Sequence, residues 1–496
     1  MQGDWGELGH HLIVKAFNAW RCWVARSSRR NILLAAGAPV ALGLVFVDDP
    51  GSSPAAHPDL DFEPIPAFAR QYRTACSTCH TAAPKLNVLG EAFRLNGYRM
   101  PASNLLIRED DPVSLGAEPW KDLWPRAIWP GTIPGQVPLA LRIQSDLQIT
   151  RDSRQDFGWT YRLPHEIYLL AGTTFGDGIG AFFEAEWSEE EGLEVVQAKV
   201  KFQDLLPFLP ERALNLWAGL QDPYLMTFTG RQIDRAARQK YSWQSIRLSD
   251  LITEPPGFPG SGPSDHKLGG TFPSLEFNGL LGSRTYWGVG LAQGLSDGAT
   301  DRNHQKDVYL KLRHKIGGLD LEGNYSTPEG TPDAYQGQLL DRSLILEGFA
   351  YWGDEGLSGE PGGEHRAYGF AARWLHSRLD AGVGFVVRRF DPLWLSEGDG
   401  SAEARAAFAR AEYMFWPWVI GSLKFDRLTV GLPSSAPPTW ELRNASEGRV
   451  MPGVILLLRQ NLRAVIEGEW FTLHRPTTSE GLRKPHNLWI RLDLAF

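Results

Sequence analysis

The chain has 496 residues, enough for two or three domains, with 22% charged residues and a formal net charge of −8. A mildly acidic balance makes nucleic acid an unsuited partner. Three cysteines leave no room for a disulfide framework.

Residues 1–56 read as a targeting segment that is cleaved. Arg26, Arg29 and Arg30 precede an apolar run from Ile32 to Val47, and small residues follow at Ser53-Pro54-Ala55-Ala56. A twin-arginine route and a retained anchor are the alternatives, although the run contains Pro39 and is short for a spanning helix. Its removal takes away five basic and four acidic residues and Cys22, leaving a net charge of −9 and two cysteines.

Residues 57–111 predict a small helical unit around Cys76-Ser77-Thr78-Cys79-His80. C-x-x-C-H is the attachment pattern of c-type haem: two thiols reach the two vinyl groups of one porphyrin, and the adjoining imidazole reaches the iron. A redox C-x-x-C and half of a zinc site share part of this pattern, but no further cysteine follows to complete a zinc site. The expectation is one covalent haem c on Cys76 and Cys79 with His80 as proximal ligand. Met100 is the candidate distal ligand; His57, His165, another lumen-facing histidine and an open sixth position are the alternatives. Phe68 and Tyr72 before the motif, and Leu86, Leu89 and Phe93 after it, supply two apolar faces, with Gly97 ending the second helix. Arg70, Arg73, Lys85, Arg94 and Arg99 form a basic set suited to haem propionates or to an acidic neighbour.

Residues 112–138 carry six prolines interleaved with Trp120, Trp124 and Trp129, which predicts a semi-rigid linker. From Leu139 to Phe496 the period becomes two. Leu139, Leu141, Ile143, Leu147 and Ile149 alternate with Arg142, Gln144, Asp146, Gln148 and Thr150, and sixteen further segments of about ten residues follow, including 306–315, 318–326 and 487–496. Soluble sandwiches and propellers also alternate. Three features favour an outer-membrane β-barrel: a terminal strand ending on Phe496, short turns exchanging with long loops such as 221–266, and 19 Trp, 13 Tyr and 24 Phe available for interfacial girdles. The predicted fold is a mainly β transmembrane antiparallel barrel of 16 strands (16–18), the alternation of long and short connections asking for one segment beyond the seventeen, within 335–339, with the helical haem unit in or at its lumen. Glu189-Glu190-Glu191 is assigned to an outer loop, either as a cation-attracting run or as a solubilising turn.

Phe68-Ala69-Arg70-Gln71, the C-x-x-C-H, Pro84-Lys85-Leu86 and Gly90-Glu91-Ala92-Phe93-Arg94-Leu95-Asn96-Gly97-Tyr98 resemble the haem segment of the fused monohaem cytochrome–porins of bacterial outer membranes, best known from iron-oxidising bacteria. The likeness covers about 35 residues, and the barrel only by architecture. Glu91 stands where a basic residue is common, and Asn87-Val88 where Thr-Pro is common. The resemblance implies an electron conduit set in outer-membrane lipid, taking electrons from an extracellular reductant such as Fe(II) and passing them to a periplasmic carrier, as an Fe(II)-oxidising cytochrome would. A diffusion porin with a haem plug or sensor, and a conduit running in the reductive direction, are the other readings.

Overall fold

The computed structural model describes residues 67–72, 74, 76–82, 85–100, 113–114, 132–133, 139–152, 154, 157–175, 178–227, 241–245, 252–253, 268–293, 306–324, 341–354, 364–391, 401–432, 441–442, 446–459, 461–473 and 483–495. The targeting segment, His57, most of the 112–138 linker, the extra strand sought at 335–339 and Phe496 lie outside these residues.

The described N-terminal part has three helices: α1 (Ala67–Gln71), α2 (Cys76–Cys79) and α3 (Val88–Leu95). Sixteen barrel strands follow. They are β1 (Leu139–Arg151), β2 (Phe157–Phe175), β3 (Ile179–Ser188), β4 (Gly192–Phe202), β5 (Asn215–Gln221), β6 (Phe272–Leu281), β7 (Thr285–Ala292) and β8 (Asp307–Gly317). The second half has β9 (Arg342–Asp354), β10 (Glu364–His376), β11 (Leu379–Asp391), β12 (Ala402–Trp416), β13 (Val419–Gly431), β14 (Ser446–Arg459), β15 (Leu462–Phe471) and β16 (His486–Ala495). Each pairs antiparallel with its sequence neighbours, and β16 closes onto β1 through Leu488↔Ile149 to Leu494↔Ile143.

The faces are inverted relative to a soluble protein. On β8, Asp307, Tyr309, Lys311, Arg313 and Lys315 are buried, whereas Leu310, Leu312 and Ile316 are exposed, Leu312 at 55% and Lys315 at 1%. On β16, Arg491 and Asp493 face inward while Ile490 and Leu492 face out. Polar groups inside and an apolar band outside are stable only where the outer face meets lipid. The chain is an outer-membrane barrel in contact with membrane lipid.

The end holding the start of β1 and the end of β16 has the tight turns, at 282–284, 377–378, 417–418 and 460–461. The opposite end has the long connections, including 222–271, and also the Glu189–Glu191 turn. Short turns belong to the periplasmic side and long loops to the extracellular side.

One predicted strand is absent. Residues 318–326, in their described part, turn instead into the lumen. Gly317 still pairs with Ser343 as the end of β8, so the chain does not turn back there into a hairpin. Asp320 Oδ1 accepts from the N–H of Glu322 at 3.0 Å and of Asn324 at 2.7 Å, an Asx turn that competes with a ladder. Leu319 and Leu321 are buried against α3, beside Val88 and Leu95. Their apolar alternation served a lumenal insert, not lipid.

The lumen is filled at two levels. Near the periplasmic end lie α1–α3. Toward the extracellular end, residues after β5 fold inward: the Thr227 N–H donates to Glu347 Oε2 at 2.7 Å, and Lys311 donates to the Pro223 carbonyl at 2.5 Å. Leu225, Met226, Tyr241, Trp243 and Leu268 then pack on Tyr309, Phe349, Tyr351 and Phe408 of the wall, with Tyr241 4.6 Å from Phe408 between ring centroids.

A charge on the lipid face tests this orientation. Ile490 sits mid-strand on β16, opposite Leu147 and Ile466. Ile490→Arg is expected to cost about 2–4 kcal/mol, the penalty for a cation near the bilayer midplane. Reversible denaturant unfolding in lipid vesicles measures it.

Candidate functional site: a lumenal cavity around Cys76, Cys79 and His80

In α2 the two cysteines of C-x-x-C are three residues apart and share a face. His80 opens the two-residue-deep antiparallel pairing of His80–Ala82 with Lys85–Leu86, opposite Leu86. Asn87 joins this hairpin to α3. Its Oδ1 accepts the Gly90 N–H at 2.9 Å as the N-cap, and its Nδ2 donates to the carbonyls of Ser77 at 3.1 Å and Thr78 at 3.0 Å. Asn87 therefore fixes α3 against the cysteine helix. The approach is close enough that a Cβ on Gly90 would lie 2.1 Å from the Cys79 carbonyl oxygen. At the other end Gly97 takes φ +63° and the Tyr98 N–H donates to the Phe93 carbonyl at 3.0 Å, closing the helix as the sequence predicts. Leu86 lies in the hairpin instead of in the helix predicted from its spacing.

Phe68, Tyr72, Phe93 and Tyr98 form one aromatic wall, with Phe68 5.1 Å from Phe93 and 5.2 Å from Tyr98, and the Tyr72 hydroxyl donating to the Tyr98 carbonyl at 3.0 Å. Met100 packs against this cluster. Between it and strands β1–β4 lies a cavity of about 270 Å³. Cys76, Cys79, His80 and Met100 all line it, as do Phe68, Phe93 and Leu170. His165 does not; its Nε2 lies 3.6 Å from Asp146 and 3.3 Å from Glu166 within the barrel wall. The structure thus brings the four sequence-predicted site residues to one cavity and leaves His165 elsewhere.

The two thiols are free. Burial raises both, with the Cys76 charge adding to the effect on Cys79, whose thiol is pushed up to about 12. A redox dithiol depends on a depressed thiol. Among the described residues no group of three or more His, Cys, Asp and Glu side chains is arranged to hold a metal ion. The donors, their spacing and the mostly apolar lining fit a c-type haem.

The basic set divides by role. Lys85 pairs with Glu412 of β12 and, at 2.7 Å, with Asp380 of β11. Arg99 donates to the Ile179 carbonyl at 3.0 Å. These hold the insert to the barrel. Arg94 lines the cavity instead, its guanidinium 4.7 Å from the Tyr224 ring centroid. Glu91, the departure from the common basic residue, is a docking group: Arg373 donates to it at 2.6 Å and Arg313 lies at 3.7 Å. Burial alone would raise its carboxyl; Arg373 and Arg313 outweigh burial and hold it below the usual carboxylate range.

Sequence reasoning did not single out the wall's own contribution. Arg142 of β1, Glu184 of β3, Gln197 and Lys199 of β4, and Tyr224 of the inward fold all line the cavity. Alternation put Arg142 on the lumenal face, but not at the height of the cysteines. Gly172 of β2 has a readable signal, a strand glycine marking close approach: a Cβ there would lie 2.4 Å from the Phe68 ring.

Glu91→Gln breaks a buried pair and is expected to cost about 3 kcal/mol of docking. Because the folded-state carboxyl is depressed, its stabilisation is present at neutral pH and is lost as pH falls through that lowered value. Protease accessibility of α1–α3 against pH, in wild type and variant, checks both sign and size.

No family model matches the chain, and no curated protein does. Solved structures that align with it at low identity include outer-membrane proteins, porins and channels. The anion-selective porin of Comamonas acidovorans is 9% identical, with 73% of this chain and 99% of that one covered, at a TM-score of 0.48. The trimer form of OmpT of Vibrio cholerae is 12% identical over 73% and 99%, at 0.46. The channel DcaP of Acinetobacter baumannii is 12% identical over 73% and 97%, at 0.43. By its own closed topology and inverted faces, this chain is a porin-like β-barrel of the bacterial outer membrane.

Proposed function

We propose that the protein is an outer-membrane electron conduit of the fused cytochrome–porin type, carrying one covalent haem c in the lumenal cavity. The observation that carries this reading is the meeting of Cys76, Cys79, His80 and Met100 on one apolar-walled cavity inside a membrane barrel. A bound haem c supplies one-electron Fe(III)/Fe(II) chemistry.

This chain's residues do the rest. Cys76 and Cys79 would hold the haem through thioether bonds to its two vinyl groups, and His80 and Met100 would ligate its iron, a thioether ligand being one that raises the reduction potential. Phe68, Phe93 and Tyr98 would give the haem an apolar wall. The proposed donor is an extracellular reductant, Fe(II) by resemblance of the haem segment, and the acceptor is a periplasmic carrier. The cavity's place near the periplasmic end suits delivery to that carrier.

A reduced pyridine spectrum of the purified protein should report one covalent haem per chain, lost in Cys76→Ser/Cys79→Ser. Spectroelectrochemistry should then give a potential that falls in Met100→Leu. A strongly negative wild-type potential, unchanged in that variant, would reverse the assigned direction and remove Met100 as a ligand.

A diffusion porin needs a clear lumen, and the insert and the inward fold after β5 oppose this. Planar-bilayer conductance is expected to lie far below that of an open porin with the same sixteen strands. Large steady currents would favour the porin reading instead.

A further inference from the structure

We propose that the projection at residues 204–211, between β4 and β5, is a second membrane-contacting element: an apolar foot that enters the periplasmic leaflet of the outer membrane. It is separate from the cysteine cavity and goes beyond the conduit reading.

Water is a poor surrounding for this segment. Leu205, Leu206, Phe208 and Leu209 are all exposed, Phe208 at 78%, and the run from Leu205 to Pro210 holds no polar side chain. Folded chains seldom present a contiguous apolar patch to water unless something covers it. The segment is also a built feature. Asp204 and Arg212 take φ of +53° and +62°, one at each foot of the projection, and the Arg212 N–H donates to the Asp204 carboxylate. The Leu205 N–H donates to the Leu214 carbonyl at 3.0 Å. Its base is pressed onto β6, where the Leu280 N–H donates to the Arg212 carbonyl at 2.8 Å and a Cβ on Gly279 would lie 1.9 Å from the Ala213 carbonyl oxygen.

Three observations select lipid over a protein partner. The lipid face runs into the projection: Leu275, Phe277 and Leu281 are exposed along β6, and Leu281 follows the residue that anchors its base. The wall is low in this sector. β5 has seven residues and β7 eight, where a tilted spanning strand needs about 9–11, whereas β9–β14 have 13 to 15. An apolar foot at the periplasmic rim makes up the shortfall. Finally, the backbone suits a medium without water. Pro207 and Pro210 carry no N–H, the Leu209 N–H donates to the Leu206 carbonyl at 3.1 Å, and that of Leu205 is already bonded. Bare donors are what make irregular backbone costly in lipid. The charged residues Asp204, Glu211 and Arg212 stay at the feet, where headgroups would meet them.

In vesicles of phosphatidylethanolamine and phosphatidylglycerol, a photoreactive benzoylphenylalanine replacing Phe208 is expected to crosslink to phospholipid. The same group replacing Arg154, exposed in the extracellular connection between β1 and β2, is expected to give no lipid adduct. Phe208→Trp is expected to add emission above the wild-type background, quenched more by lipids brominated near the headgroup than by lipids brominated deep in the chain. Phe208 is exposed, so both replacements leave the barrel folded, which heat-modifiable gel migration checks. A crosslink to a second copy of the chain, or no lipid adduct with the added emission unquenched, overturns the foot. So does a crosslink in whole cells to a periplasmic protein instead of lipid. Haem content is measured on the same samples and is expected to match the wild type, so failure of the foot leaves the conduit reading standing, and absence of haem leaves the foot standing.

Discussion

The structure depends on a few buried ion pairs that hold a helical insert across the lumen of a sheet whose other face is lipid. Glu91 meets Arg373 of β10, and Lys85 meets Asp380 of β11 and Glu412 of β12. Buried ion pairs are poor sources of net stability, because each charge must be dehydrated. Their value here lies in register. A lumen lined by polar residues offers few apolar surfaces on which an insert can choose one position, and a charge pattern does that instead. The aromatic wall, the Asn87 cap and the cavity all take their height in the barrel from this docking.

The sequence disclosed the barrel through its period, because lipid and lumen demand opposite residues at successive positions. Sixteen of the seventeen predicted segments correspond to strands. The failure at 318–326 shows where that logic ends. Leu319 and Leu321 alternate as a lipid-facing strand would, yet they pack on Val88 and Leu95, and Asp320 turns the chain with its own side chain. Apolar alternation reports burial, not which apolar partner supplies it. Similarly, the C-x-x-C-H was legible because its chemistry is local, whereas Lys199 and Glu184 carry no signal of their own. They are ordinary lumenal residues on strands until the register sets them at the level of Cys76 and Cys79.

Glu91 shows how the same ambiguity affects a resemblance. Compared only with the common pattern, an acidic residue at this position looks like a change in the haem's surroundings. In the structure it points to Arg373 and Arg313, away from the cavity lining, and answers the barrel's own arginines. Lys85 makes the complementary contact, an insert cation meeting wall carboxylates. An insert and a wall that exchange charges in both directions constrain one another, so neither side's sequence can be interpreted residue by residue without the other.

The two fillings of the lumen give the proposed conduit its asymmetry. Toward the periplasm lies the cysteine cavity, between the insert and strands β1–β4. Toward the outside, the inward fold after β5 closes over it, and Tyr224 is where that fold reaches the cavity. On the proposed reading, a periplasmic carrier approaches the cofactor closely, while an extracellular donor is separated from it by packed aromatic side chains. Electron transfer weakens steeply with distance, so the outer step would govern turnover. The residues to alter when seeking the rate-limiting element are then Tyr224, Tyr241 and Trp243, and not the proposed haem ligands themselves.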